Sequence, residues 1–328
     1  MELISFEAGD TDAVDRYVEV ENAVRAADSP WEHPLTRHQA EGIFGYGWDL
    51  EPSKPSLAVV GGAVVGVGEY STSDYDNLHL AWLTLHVHPE HRRRGHGSAL
   101  LAGLVEQVHQ TGRTSIGTAG WDTEHTRGFA TSHGLETKAV EVNRRQFLAE
   151  LDWPALDRLY AETRAATSAY DLVRQLGHTP EQDLEAVAVM VAAINDAPTD
   201  DLDIEDEVFT PERIRAYETA HERRGITLHR LMVRHRETGE LAGETVVGVD
   251  QERPHIGEQH NTAVVAAHRG NRLGLLLKLE MNRWLRETQP QLETIDTWNA
   301  ESNGYMIGVN EALGYRVVGR ELAVQKSL

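Results

Sequence analysis

The residues best suited to chemistry stand in two arginine- and glycine-bearing loops. The first reads HPEHRRRGHGSALL over residues 88–101. Placed between a strand and an amphipathic helix, such a turn exposes several backbone N–H groups and the positive end of the helix. Gly95 and Gly97 let the backbone approach a bulky diphosphate, and Arg92, Arg93 and Arg94 add charge. A solvated arginine cluster would carry the same residues. The second loop, AHRGNRLGLLLK at 267–278, repeats the pattern through Arg269, Gly270, Asn271, Arg272, Leu273, Gly274 and Leu275. Its position between strand and helix favours the anion cradle.

Two further groups carry charge or ligands. The segment Asn195–Glu207 is densely acidic and includes Asp196, Asp200 and Asp201. On composition alone it reads as a solvated loop with helix-capping aspartates. If it lines a cleft, its carboxylates would attract a cationic amine. His79, His86, His88 and His91 cluster in sequence, and His86 and His88 would share a strand face. No acidic or third ligand falls at a zinc spacing, so no metal is expected.

The elements that must position these loops are written twice. LAVVGGAVVGVG at 57–68 and LMVRHRETGELAGET at 231–245 each read as strand, tight turn and strand. A further strand follows each, Leu83–Val87 in one and Thr262–Val265 in the other, rich in β-branched and apolar residues. After the loops, Leu100, Leu101, Leu104, Val105 and Val108 recur at helical spacing, as do Leu277, Met281, Trp284 and Leu285. Gly66 and Gly243 lie 177 positions apart, as do Arg92 and Arg269, and Gly134-Leu135 and Gly314-Tyr315 are offset by 180. The chain is therefore read as a divergent internal duplication. Each copy predicts an α/β fold, a mixed sheet with helices on its faces. The expected divisions are 1–150, a charged helical connector at 151–177, and 178–328, with no flexible linker between them.

Composition removes several function classes. The chain has 328 residues with 31 Lys+Arg against 52 Asp+Glu, a net charge of -21. That surface repels phosphate backbones and anionic lipid, which argues against nucleic-acid and membrane-surface partners. With no cysteine there is no disulfide, thiolate metal site or cysteine nucleophile. The opening MELISFEAGDTDAVDRY has no basic patch or apolar core, and no apolar stretch reaches a membrane span, so a cytoplasmic location is expected.

Val87-x-Pro89-x-x-Arg92-x-x-Gly95-x-Gly97 resembles the acyl-CoA pyrophosphate motif of the GNAT superfamily of N-acetyltransferases. The second loop is similar but has Arg272 where the middle glycine is usual. Together with 193–207 and TWNAESNGYMIGVNEALGY at 297–315, it looks like the C-terminal half of tandem GNAT enzymes, the actinobacterial group that includes mycothiol synthase. The resemblance covers essentially the whole chain. It implies two tandem GNAT domains, acetyl-CoA as acyl donor, and main-chain groups near Val264 and Val265 that bond the pantetheine arm and polarise the thioester carbonyl. Asn303 matches an asparagine that commonly contacts the cofactor.

The family often carries a glutamate 11 positions before the first loop residue to accept the amine proton. That count reaches Glu258 in the second copy and Ala81 in the first. His260 is a second candidate base. The tyrosine that often protonates the thiolate is replaced by Asn310 and Ala130, which leaves Tyr305 nearby as the candidate substitute. The expected activity is acetyl transfer to a small primary amine in the C-terminal domain, with a non-catalytic N-terminal domain and acidic Asp196, Asp200 and Asp201 at the acceptor. Because the tyrosines are missing, the alternative is an acyl-CoA-binding or regulatory protein without chemistry. The sequence leaves a monomer or a homodimer open.

Overall fold

The protein is described here by a computed structural model covering residues 1–328. The first copy runs β1 (Glu2–Ser5), α1 (Thr11–Asp28), α2 (Arg37–Tyr46), β2 (Lys54–Val60), β3 (Ala63–Ser71), β4 (Leu80–Val87), α3 (His96–His109), β5 (Ser115–Trp121), α4 (Glu124–Ser132) and β6 (Glu136–Phe147). After α5 (Trp153–Ala166) the same order returns. It runs β7 (Tyr170–Leu176), α6 (Leu184–Val191), α7 (Pro211–Arg223), β8 (Ile226–His235), β9 (Leu241–Asp250), β10 (Ile256–Val264), α8 (Leu273–Thr288), β11 (Thr294–Ala300), α9 (Gly304–Ala312) and β12 (Arg316–Ser327). The duplication holds down to register. Gly66 stands opposite Val87 and Gly243 opposite Val264. A Cβ on Gly66 would lie 2.7 Å from the His86 carbonyl oxygen, and one on Gly243 2.6 Å from that of Ala263. Glycine is required at both, because the neighbouring backbone occupies the space.

The chain divides into two compact units that are not its two sequence halves. One comprises Met1–Glu141, Thr199–Asp206 and Gly319–Leu328; the other comprises Val142–Pro198 and Glu207–Val318. In the first unit the strand order is β1-β2-β3-β4-β5-β12, with Glu321–Ser327 paired antiparallel to β5. In the second it is β6-β11-β10-β9-β8-β7. The two units thus interleave along the chain. Which edge receives a closing strand depends on long-range hydrogen bonding that no local pattern encodes. Residues 151–177 also form a helix and a strand rather than helix throughout: Tyr170–Leu176 pairs with β8 and ends at Gly177, φ +69°.

Within each unit the strands run both parallel and antiparallel, with helices packed on their faces. In the first, Leu100 and Leu104 of α3 are fully buried in one cluster with Leu83 of β4 and Ile116 of β5. On α1 and α2, Tyr17 and Phe44 meet edge-on at 4.9 Å. In the second, α8 is buried nearly all round. The cause is α5, which covers it: Arg283 pairs with Asp157, and Arg286 lies 4.3 Å from the centre of the Trp153 ring. No helix is long and apolar enough to cross a membrane.

In each unit the parallel strand pair comes apart. β4 pairs with β5 from Leu80 to Leu83 and then continues unpaired on that side to Val87. β10 pairs with β11 over Ile256–Glu258 and continues to Val264. The gap opens just before each arginine loop.

Candidate functional site

The two loops are built alike. Two positions in each need a left-handed backbone, and each loop fills one with glycine and one with arginine: Arg93 (φ +62°) and Gly95 (φ +81°), then Gly270 (φ +80°) and Arg272 (φ +58°). Arg272 thus keeps the turn at a strain of about 1–2 kcal/mol. Helices α1, α2, α4, α5, α7 and α9 are capped by side chains of Asp10, Thr36, Thr123, Asp152, Thr210 and Asn303. The helices after the loops, α3 and α8, begin at Gly95 and Arg272 with no side-chain cap. Their first-turn amides fit an external anion such as a diphosphate.

Arg92 and Arg269 face the other way. Arg92 Nε donates to the Val87 carbonyl at 3.1 Å, and its Nη atoms bond Asp28 at 2.8 and 2.7 Å. Arg269 Nε donates to the Val264 carbonyl at 2.9 Å and its Nη2 to Asp196 at 2.5 Å. Both arginines brace the loop against its strand, and Asn271 ties the second loop to itself, its Nδ2 donating to the His268 carbonyl at 3.1 Å. Val265 N–H is taken by the Ala242 carbonyl at 3.0 Å. Strand alternation therefore turns the Val264 N–H away from β9, toward the gap. Gly97 lies against Phe129 and Gly274 against Tyr305, whose Oη would be 3.4 Å from a Cβ added at Gly274. Tyr305 is exposed, while Asn303 accepts from Met306 N–H at the start of α9. Leu273 is core, and Leu275 packs against that core.

Glu258 is the last β10 residue paired with β11, directly opposite Asp296. Solvent reaches it, yet protein surrounds it. Desolvation pushes its carboxyl above the usual range; Arg224 and Arg253 oppose the rise, while Asp296 and Asp250 add to it. Asp296 is itself held by Arg145 at 2.6 and 2.7 Å. A carboxylate so placed, with its basicity raised in this way, suits the acceptance of a proton. His260, in the irregular stretch of β10, shares a 2.5 Å hydrogen bond with the Tyr217 hydroxyl. Burial, reinforced by His221, Arg224 and Arg230, keeps it neutral well below the ordinary imidazole range. That makes it a fixed wall more than a base.

The acidic segment divides. Asp196 pairs with Arg269 in the second unit, whereas Asp200 and Asp201 belong to the first. There the Asp201 N–H bonds the Lys138 carbonyl, and Asp200 helps raise Glu141. The first unit also holds a group that the motifs did not disclose. His86 Nδ1 lies 2.5 Å from Glu21 Oε2, and Arg25 Nε donates to the other oxygen at 3.0 Å. Burial alone would raise Glu21, but His86 and Arg25 hold it at about 2. Glu69, Glu141 and Glu321 are each pushed up to about 7, chiefly by burial, with Glu21, Asp200 and Glu32 adding repulsion in turn. A signal was present: Glu21 sits on the buried stripe of Val14, Tyr17, Val20 and Val24. No group of three His, Cys, Asp or Glu is arranged to hold a metal.

Residues 19–134 match the family model described as the acetyltransferase (GNAT) family. No curated protein matches the sequence. Among solved structures the chain resembles a tandem GNAT protein from the clavulanic acid biosynthesis pathway, with 24% identity, TM-score 0.80, and coverage of 99% of this chain and 98% of that one. It also resembles a GCN5-related N-acetyltransferase from Sphaerobacter thermophilus, with 14% identity, TM-score 0.68 and coverage of 99% and 95%. A putative acetyltransferase from Pyrococcus horikoshii is similar at 14% identity and TM-score 0.59, over 99% and 89% of the two chains. These likenesses establish the fold along the whole length. The chain as a whole therefore has the fold of tandem GNAT proteins, and its residues 19–134 match the GNAT acetyltransferase family.

Proposed function

We propose that the protein transfers an acetyl group from acetyl-CoA to the primary amine of a small molecule, with the chemistry in the second unit. The observation that carries this reading is Glu258, a solvent-reached and desolvated carboxylate where β10 leaves β11. Glu258 would take the proton from the attacking amine as the carbon–nitrogen bond forms and the carbon–sulfur bond breaks. The uncapped start of α8, with Arg272, would hold the diphosphate, and the Val264 N–H would face the thioester. Ala81, buried, stands at the corresponding place in the first unit, which fits a cradle without a base. The segments 193–207 and 297–315 support a place beside the mycothiol synthase-like enzymes.

A second reading puts the chemistry in the first unit, and the Glu21–His86 pair on α1 and β4 favours it. The test of acyl transfer is thiol release from acetyl-CoA against cationic and anionic amines at low and high salt. Release with cationic amines, weakened by salt, is expected from a chain of net charge -21. Acetyl-CoA binding without thiol release from any amine would leave a binding protein instead.

A further inference from the structure

Lys278 has no part in the reaction described above, yet it is placed at a cost. It lies on α8, is 2% exposed, and has no carboxylate partner. Its Nζ donates to Asn310 Oδ1 at 2.5 Å and lies 4.5 Å from the centre of the Tyr315 ring. Asn310, also fully buried, donates from Nδ2 to Asn299 Oδ1 at 2.7 Å. Asn299 is on β11, three residues beyond Asp296, where that strand has left β10.

The direction of this chain is fixed by chemistry. An ammonium only donates, so Asn310 must turn its oxygen to Lys278 and its NH2 to Asn299. That NH2 only donates, so Asn299 must present its oxygen to Asn310 and turn its own NH2 away from α9. Burial of Lys278 draws its amine down to about 7, so the charge that sets the direction is held weakly near neutrality. The ring facing it, Tyr315, is held neutral by its own burial, with Asp296 adding to the effect. Asn310 occupies the position four residues before Gly314-Tyr315, where no tyrosine is available to assist the thiolate.

We infer that Lys278, acting through Asn310, fixes Asn299 as the hydrogen-bond donor to the coenzyme A sulfur as the thiolate departs. The carbon–sulfur electron pair stays on sulfur, the amine proton goes to Glu258, and Asn299 supplies a donor without giving up a proton. Asn299 touches the leaving group, and Lys278 is a positioning residue. The inference rests on the proposed location of acyl transfer in the second unit.

The test compares Asn299→Ala, Lys278→Met and their double variant in the full chain, with acetyl-CoA and an accepted amine. Each single change should lower kcat about tenfold while KM for acetyl-CoA stays within twofold. The double variant should be no worse than either single change, because both break one chain. Asn299 is half-buried, so its variant tests the idea even if Lys278→Met folds poorly. Single losses that multiply to about a hundredfold, or an Asn299→Ala protein with unchanged kcat, would overturn the inference. Glu258→Gln separates the two failures. If it abolishes turnover while Asn299→Ala does nothing, only the donor chain is wrong; if it is fully active, the location falls and the chain with it.

Discussion

Replacing Glu258 with glutamine keeps the shape of the side chain and removes its capacity to take a proton. General-base assistance is worth ~10²–10⁴ in rate, about 3–5 kcal/mol of barrier. The loss should fall on kcat, because the residues that would hold the diphosphate lie in the loop beyond β10. The expected result is a fall of at least a hundredfold in kcat with KM for acetyl-CoA within about twofold. The pH profile adds a second reading. Glu258 acts only when ionised, so the rate must fall as pH drops through its pKa. Desolvation has raised that pKa, which places the acid limb above that of an ordinary carboxylate. Arg224 opposes the rise, so Arg224→Gln should move the limb to still higher pH. Steady-state kinetics between pH 5 and 9 on the three proteins would decide. A Glu258→Gln enzyme within threefold of the parent would refute the assignment and turn attention to Glu21 and His86.

Two predictions concern stability. Glu69 rises from the 4.5 of an ordinary carboxylate to about 7 on folding, a difference worth about 3 kcal/mol at ~1.4 kcal/mol per unit. A raised carboxyl contributes stability that is complete below 4.5 and lost as pH rises through 7. Glu69→Gln should therefore lose less stability than the parent between pH 5 and pH 9 in urea titrations; identical losses would contradict this. Gly243→Ala would press a methyl against the Ala263 carbonyl and should cost at least ~1–3 kcal/mol. Gly128→Ala, within α4 with open space around it, should gain up to ~1 kcal/mol. Thermal melts of the pair check both signs.

Much of the architecture was legible because neighbouring residues set it. The repeated offsets announced two copies, and glycine and arginine at fixed spacing announced two loops. Where the loop reading fell short, the missing information was a partner far along the chain. Arg92 and Arg269 looked like phosphate ligands until Asp28 and Asp196 were found beside them. The acidic segment looked like one cleft wall, but its residues serve both units. Lys278 drew no reading from the sequence, because nothing local shows that Asn310 and Tyr315 lie against it.

By itself the sequence determined periodicity, turn chemistry and the order of elements, since these depend on residues within a few positions of one another. Tertiary structure alone decided where β12 adds, which carboxylates share the space around His86, and which way the Asn299 amide faces. Burial and ion pairing join residues such as Glu21 and His86, 65 positions apart. The energy of such a contact depends on what else excludes water there, and that is settled only when the chain has folded.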